Sequence, residues 1–145
     1  MSNEVTIEVR FNPPDLPQRM RRYPRELERE MERTMKQSLA HVQGSVPPYP
    51  SASADSSYIR TGTLGRTIGL GGRAEIYEVK KIGGGYEARL GTNLEYAPFV
   101  IGESQAGQHA GRWWTMKTVA EKARPGVERL FEAMCRRLAS FLDGT

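Results

Sequence analysis

Between Pro24 and Val42, apolar residues return every three or four positions: Leu27, Met31, Met35, Leu39 and Val42. That spacing places them in one stripe along an α-helix, with the interleaved Glu and Arg residues on the other faces. Pro24 suits a first helical turn, and Gly44 suits the exit. A long helix with a single apolar stripe needs a second layer to cover it. Another helical run closes the chain, through Met116, Val119, Ala120 and Ala123 and on through Val127, Leu130, Phe131, Met134, Leu138, Phe141 and Leu142. Pro125 interrupts it and is placed to kink or restart the helix.

The covering layer is written in shorter, alternating segments. Val5, Ile7, Val9 and Phe11 alternate with Thr6, Glu8 and Arg10, the pattern of a half-buried strand or of an arm that orders against a neighbouring subunit. A strand from about Ala74 to Ile82, a turn at Gly83 to Gly85 and a return strand through Tyr86, Ala88 and Leu90 form a hairpin, with Glu87 and Arg89 on the opposite face. Tyr58 to Gly69 reads as a short helical turn leading into a further strand. Leu90 to Gly102, LGTNLEYAPFVIG, reads as a strand end, a turn at Gly91, Thr92 and Asn93, and a short helix opened by Pro98. Its residues Tyr96, Ala97, Phe99 and Val100 make an apolar cluster. The expected fold is therefore α+β: a small, mostly antiparallel sheet, with strands near Val5, Thr67, Ile76 and Tyr86, packed against a long N-terminal helix and a C-terminal helix. Residues 1–145 fit a single domain, with 1–15 as strand or arm and 44–58 and 102–112 as flexible loops.

Little in the chain points to chemistry. His41 and His109 lie in separate segments with no Ser, Cys or carboxylate motif around them, so neither a catalytic group nor a metal set is expected. Neither GTLGRT nor the triple glycine has the context of a phosphate or dinucleotide loop, and no cofactor is expected. The single cysteine, Cys135, excludes an internal disulfide and is expected to be buried beside Met134, Leu138 and Phe141. The first residues, MSNEVTIEVR, are not patterned as a signal peptide, and no apolar run approaches the roughly 18 residues of a membrane span. A net charge of +4, with Arg19, Arg21, Arg22 and Arg25 clustered, is compatible with nucleic acid nearby, but acidic residues follow at once and a solvated face explains it. A hydrophobic fraction of 38% suggests a small core with much exposed surface, or a protomer that completes its burial in an assembly.

Two motifs carry a resemblance. TGTLGRTI at Thr61 to Ile68, a hairpin, GTN-x-x-YAPFV at Gly91 to Val100 and a closing helix stand in the order found in the tail-component, or tail-completion, proteins of long-tailed bacteriophages, which the chain resembles from about Tyr58 to Leu142. The matching positions are Thr61, Gly62, Leu64, Ile68, Gly91, Thr92, Asn93, Tyr96, Ala97 and Val100. Many relatives continue into an E-F/Y-G-T segment and a proline-rich run. Here the segment from Gln105 to Trp113 is similar instead to a subset of tail proteins with Q-A-x-x-H-x-x-x-W. The resemblance implies a structural, non-enzymatic virion protein of the head–tail neck, assembled in the host cytoplasm. It implies a cyclic homo-oligomer of six-fold symmetry that meets head-completion or connector proteins and tail-tube or tail-terminator proteins, with DNA passing nearby unread and no membrane involved. A tail terminator or minor tail protein is the alternative, and a small nucleic-acid-binding phage protein a more distant one. Trp113, Trp114, Tyr49, Arg60 and His109 are the expected interface residues; the adjacent tryptophans point different ways, so that one enters the core and one faces a partner or the rim, with burial of both in the core or base stacking as the alternatives.

Overall fold

A computed structural model describes residues 4–11, 24–48, 63–70, 72–83, 85–107 and 113–142. The elements in chain order are β1 (Val5–Phe11), α1 (Pro24–Gly44), α2 (Thr63–Thr67), β2 (Ile76–Ile82), β3 (Gly85–Thr92), α3 (Ala97–Val100) and α4 (Met116–Leu142). The three strands form one antiparallel sheet in the order β1-β3-β2, and α1 and α4 pack side by side on one of its faces. The fold is α+β, with a long N-terminal helix and a C-terminal helix against a small antiparallel sheet.

The core is where the two periodicities meet. Leu27, Met31, Met35, Leu39 and Val42 of α1 are all buried. They face Tyr86, Ala88 and Leu90, alternate residues of the central strand, which side with Ile7 and Val9 of β1 and Tyr77 and Val79 of β2 in the observed register. Each fully buried side chain of this size contributes about 1.5–3 kcal/mol of transfer free energy. α4 adds Met116, Val119, Ala123 and Met134 from its own stripe. Its buried Gly126 lies against the His41 ring of α1. A β-carbon there would come to 2.0 Å from His41 Nε2, so the ring occupies the space that the missing side chain leaves between the helices.

The opposite face of the sheet is charged throughout its centre. Arg10 Nε donates to Glu87 at 3.0 Å, Lys80 lies 4.0 Å from the same carboxylate, and Arg89 pairs with Glu4, Glu8 and Glu78. Glu87 is buried on this open face because the long side chains of Arg10 and Lys80 fold over it from the flanking strands.

Several expectations change. Among the described residues no strand lies near Thr67. Residues 63–67 are helical because Leu64 and Ile68, four apart, both turn into the core, and the Thr67 hydroxyl donates to the Leu64 carbonyl at 2.9 Å. Gly91 and Thr92 are the last residues of β3, not a turn. Gly91 is required by its neighbour rather than by its own φ. A β-carbon on it would stand 2.0 Å from the Val5 carbonyl oxygen and 2.8 Å from Thr6 Cα. Cys135 is exposed, because Met134 takes the inward position and the next residue lies about 100° further round the helix. α4 continues through Pro125 as one helix.

Two outcomes are expected from this packing. Gly91→Ala forces β1 away from β3 and lowers stability by about 1–3 kcal/mol in chemical denaturation, the usual cost of overpacking. The Tyr86 hydroxyl is buried with no hydrogen-bond partner among the described residues, and burial raises its pKa above the usual phenol value. Because the unfolded phenol ionises first, this contribution is intact below about pH 10 and is lost as the pH rises through the folded-state value. Tyr86→Phe is therefore expected to be neutral or stabilising at pH 7 by up to about 1 kcal/mol and to lose less stability than the parent at alkaline pH.

Candidate functional site

The two motifs, 25 residues apart where they touch, come together at one end of the sheet. Thr92 Oγ1 donates to Thr67 Oγ1 at 2.8 Å and accepts the Leu94 amide at 3.0 Å. Asn93 N–H donates to Glu75 Oε1 at 2.6 Å, and Glu75 N–H donates to the Thr67 carbonyl at 2.6 Å. Gln43, from the last turn of α1, closes the arrangement. Its amide nitrogen donates to the Ile68 carbonyl at 3.0 Å and its amide oxygen accepts Ala74 N–H at 3.2 Å. α1, α2, β2 and β3 are thus fastened to one another at the same corner.

α3 grows out of that corner. Ala97, Val100 and Ile101 occupy positions i, i+3 and i+4 and are buried. The same turn of helix necessarily throws Tyr96 and Phe99 outward, and they are 39% and 54% exposed. The expected apolar cluster is therefore split: its small members pack inward and its aromatic rings face out. The i, i+3, i+4 spacing held this signal, since one short turn cannot bury four consecutive faces. The backbone of α3 is tied to the segment that follows it. The Phe99 carbonyl accepts Ala106 N–H at 2.7 Å, and Ile101 O accepts Met116 N–H at 2.8 Å. Gln105 Nε2 donates to the Val100 carbonyl at 2.7 Å and to the Trp113 carbonyl at 3.2 Å. The described part of the loop expected over 102–112 is tied down by these bonds.

Trp113 and Trp114 both stand half-buried against the core, with ring centroids 6.1 Å apart and planes at 54°. Trp114 Nε1 donates to the Pro48 carbonyl at 3.2 Å, joining the start of α4 to the segment after α1. Neither ring is wholly core nor wholly exposed. Of the motif positions, Leu64, Ile68, Gly91, Thr92, Ala97 and Val100 are buried, while Asn93 and Tyr96 are exposed. Tyr49, Arg60, Thr61, Gly62 and His109 lie outside the described residues.

Among the described residues no three His, Cys, Asp or Glu side chains are grouped to hold a metal ion, and no helix is long and apolar enough to cross a membrane. The arrangement places the exposed rings of Tyr96 and Phe99 beside a hydrogen-bonded corner. No protein-family model, curated protein or solved structure matches the chain. Thr92→Val removes the acceptor of Leu94 N–H and the donor to Thr67 inside a buried site. It is expected to cost about 1–3 kcal/mol in urea denaturation and to loosen the α3 corner, read as faster amide exchange over residues 93–101.

Proposed function

We propose that this chain is a structural subunit of a bacteriophage head–tail neck, a tail-completion protein that acts by closing into a ring between tail and connector. Supporting this reading are the resemblance of TGTLGRTI and GTN-x-x-YAPFV to the tail-component family and the way the two motifs meet through Thr67 and Thr92. The observation that carries it is Phe99. An aromatic ring left 54% exposed, on a short helix whose backbone is held by hydrogen bonds from Ala106 and Gln105, is suited to serve as an anchor in a protein–protein contact. Tyr96 beside it and the half-buried Trp113 and Trp114 extend the same kind of surface.

In this reading the protein works by geometry rather than turnover. Each protomer places its Phe99 corner on a different surface of the next, a heterologous contact that closes when the rotation divides a full circle. The rigid corner keeps the angle between protomers constant. The ring stands in the virion neck, with connector and tail-tube or terminator proteins on either side and DNA passing through.

Light scattering on the purified protein across concentration tests this. The expected result is a closed oligomer, a fixed multiple of 16.3 kDa, or a monomer that becomes one when a neighbouring connector or tail protein is added. Phe99→Glu is expected to leave the circular dichroism spectrum unchanged and to abolish that oligomer. A strict monomer that ignores such partners and binds duplex DNA with a steep salt dependence overturns the proposal in favour of a nucleic-acid-binding module.

A further inference from the structure

The α3 corner differs in charge from the rest of the chain. The protein is basic, with a net charge of +4. The segment from Asn93 to Gly107, which carries α3, has no lysine or arginine. It has two glutamates, Glu95 just before the helix and Glu103 just after it. Both are exposed, and neither makes an ion pair among the described residues. Tyr96 and Phe99, the exposed rings, lie between these two carboxylates in sequence.

The outer side of the helical layer, away from the sheet, has the opposite character. His41 of α1 meets Gly126 of α4, and Glu30 is held by Arg137 at 2.8 Å, so the two helices run antiparallel and in step. On α4, Lys122, Arg129 and Arg136 recur every seven residues, which sets them in one row about 21 Å long. Lys122 and Arg129 lie four positions before and three after Gly126, so the row borders the α1 side of α4. On α1, Arg29 and Arg33 each stand two positions after a buried residue, Leu27 and Met31, and so lie nearly opposite the buried stripe, with Lys36 one turn further on. These six cations are exposed. Among the described residues only Arg33 has an ion-pair partner, Glu30 at 3.9 Å, a carboxylate already held by Arg137. Glu26 and Glu132 are the carboxylates interspersed with them. The α3 corner adjoins the first residue of α4, where Met116 N–H donates to the Ile101 carbonyl. Arg136, about 30 Å along the helix from Met116, is out of the corner's reach within one protomer.

We propose, resting on the ring reading of the α3 corner, that the surface receiving this corner is the cationic outer face of α1 and α4 on a second copy of the chain. The guanidinium groups of Arg129 and Arg136 meet the faces of Tyr96 and Phe99, a cation–π contact for which arginine is the favoured cation. Glu95 and Glu103 meet the cations around them. The pairing follows from charge. A corner against a corner would gather four carboxylates with no cation, and an outer face against an outer face would gather lysines and arginines; both repel. Only the unlike contact is favourable. Such an interface is heterologous, each copy using one surface to give and another to receive, and this is the kind that generates rings.

Sedimentation velocity of the full chain, with charge reversals at exposed positions, examines this contact directly. The parent is expected to self-associate, about tenfold more weakly at high than at low ionic strength. Glu95→Lys with Glu103→Lys, and separately Arg129→Glu with Arg136→Glu, are each expected to weaken association about tenfold or more while leaving the circular dichroism spectrum unchanged. Mixing the two variants, or combining all four substitutions in one chain, is expected to restore association, because each reversed surface then meets its opposite. The proposal is overturned if the variant at Arg129 and Arg136 assembles as the parent does, a result that leaves the neck reading standing with a different receiving surface. It is also overturned if neither mixing nor combination restores assembly. The same holds if the reversal at Arg129 and Arg136 leaves assembly intact and abolishes binding of a fluorescein-labelled DNA duplex, which assigns the face to nucleic acid. A parent that stays monomeric by itself at every concentration overturns the proposal too, and the neck reading is then decided by adding connector or tail protein.

Discussion

The packing of α1 on β3 holds the rest of the molecule in place. β3 is the central strand, bonded on both edges, and its alternate residues Tyr86, Ala88 and Leu90 are sealed by the α1 stripe. Everything else is attached to this pair. β1 and β2 flank β3, α4 leans on α1 through the Gly126–His41 contact, and Gln43 at the end of α1 fastens α2 and the start of β2. With a core built so largely from one helix and one strand, peripheral elements can keep unfilled surfaces without losing the fold. That division separates the part of the chain that makes it stable from the parts that can meet other molecules.

The functional reading rests on the same division. The corner at Thr67, Thr92 and α3 is joined to the α1–β3 pair by short hydrogen bonds, yet it presents its largest rings to the outside. Aromatic side chains carried on a hydrogen-bonded backbone are favoured as anchors in assemblies.

Much of the architecture was legible in the order of residue types, because it depends on local periodicity. The stripe from Leu27 to Val42, the alternation from Val5 to Val9 and the hairpin around Gly83 each repeat a pattern over enough residues to identify an element. What was not legible depends on neighbours distant in the chain. Gly91 looked like a turn residue, but its lack of a side chain serves the approach of Val5, 86 positions earlier in sequence. Thr67 sits in a five-residue helix, too short for periodicity to separate from an approach to a strand. Tyr96 and Phe99 were grouped with the apolar residues around them, although a single helical turn could admit only Ala97, Val100 and Ile101. Cys135 failed similarly, one position off the inward stripe. The meeting of the two motifs through threonine hydroxyls left no trace in spacing at all.

The charged outer face of the sheet also bears on how the chain finds its register. Side chains alternate strictly between the two faces, so a slip of one residue in either pairing exchanges the faces of a whole strand. For β1 such a slip would carry Glu8 and Arg10 under α1 and α4, and for β2 it would do the same to Glu78 and Lys80. It would also break the pairs that Arg10 and Lys80 make with Glu87 and that Arg89 makes with Glu8 and Glu78. Ion pairs of this kind add little to the stability of the correct structure. Their larger effect is on the competing structures, where the same charges would be desolvated and unpaired at a cost of several kcal/mol each. The face that contributes least to holding the protein together thus narrows the choice of pairings open to the chain as it folds.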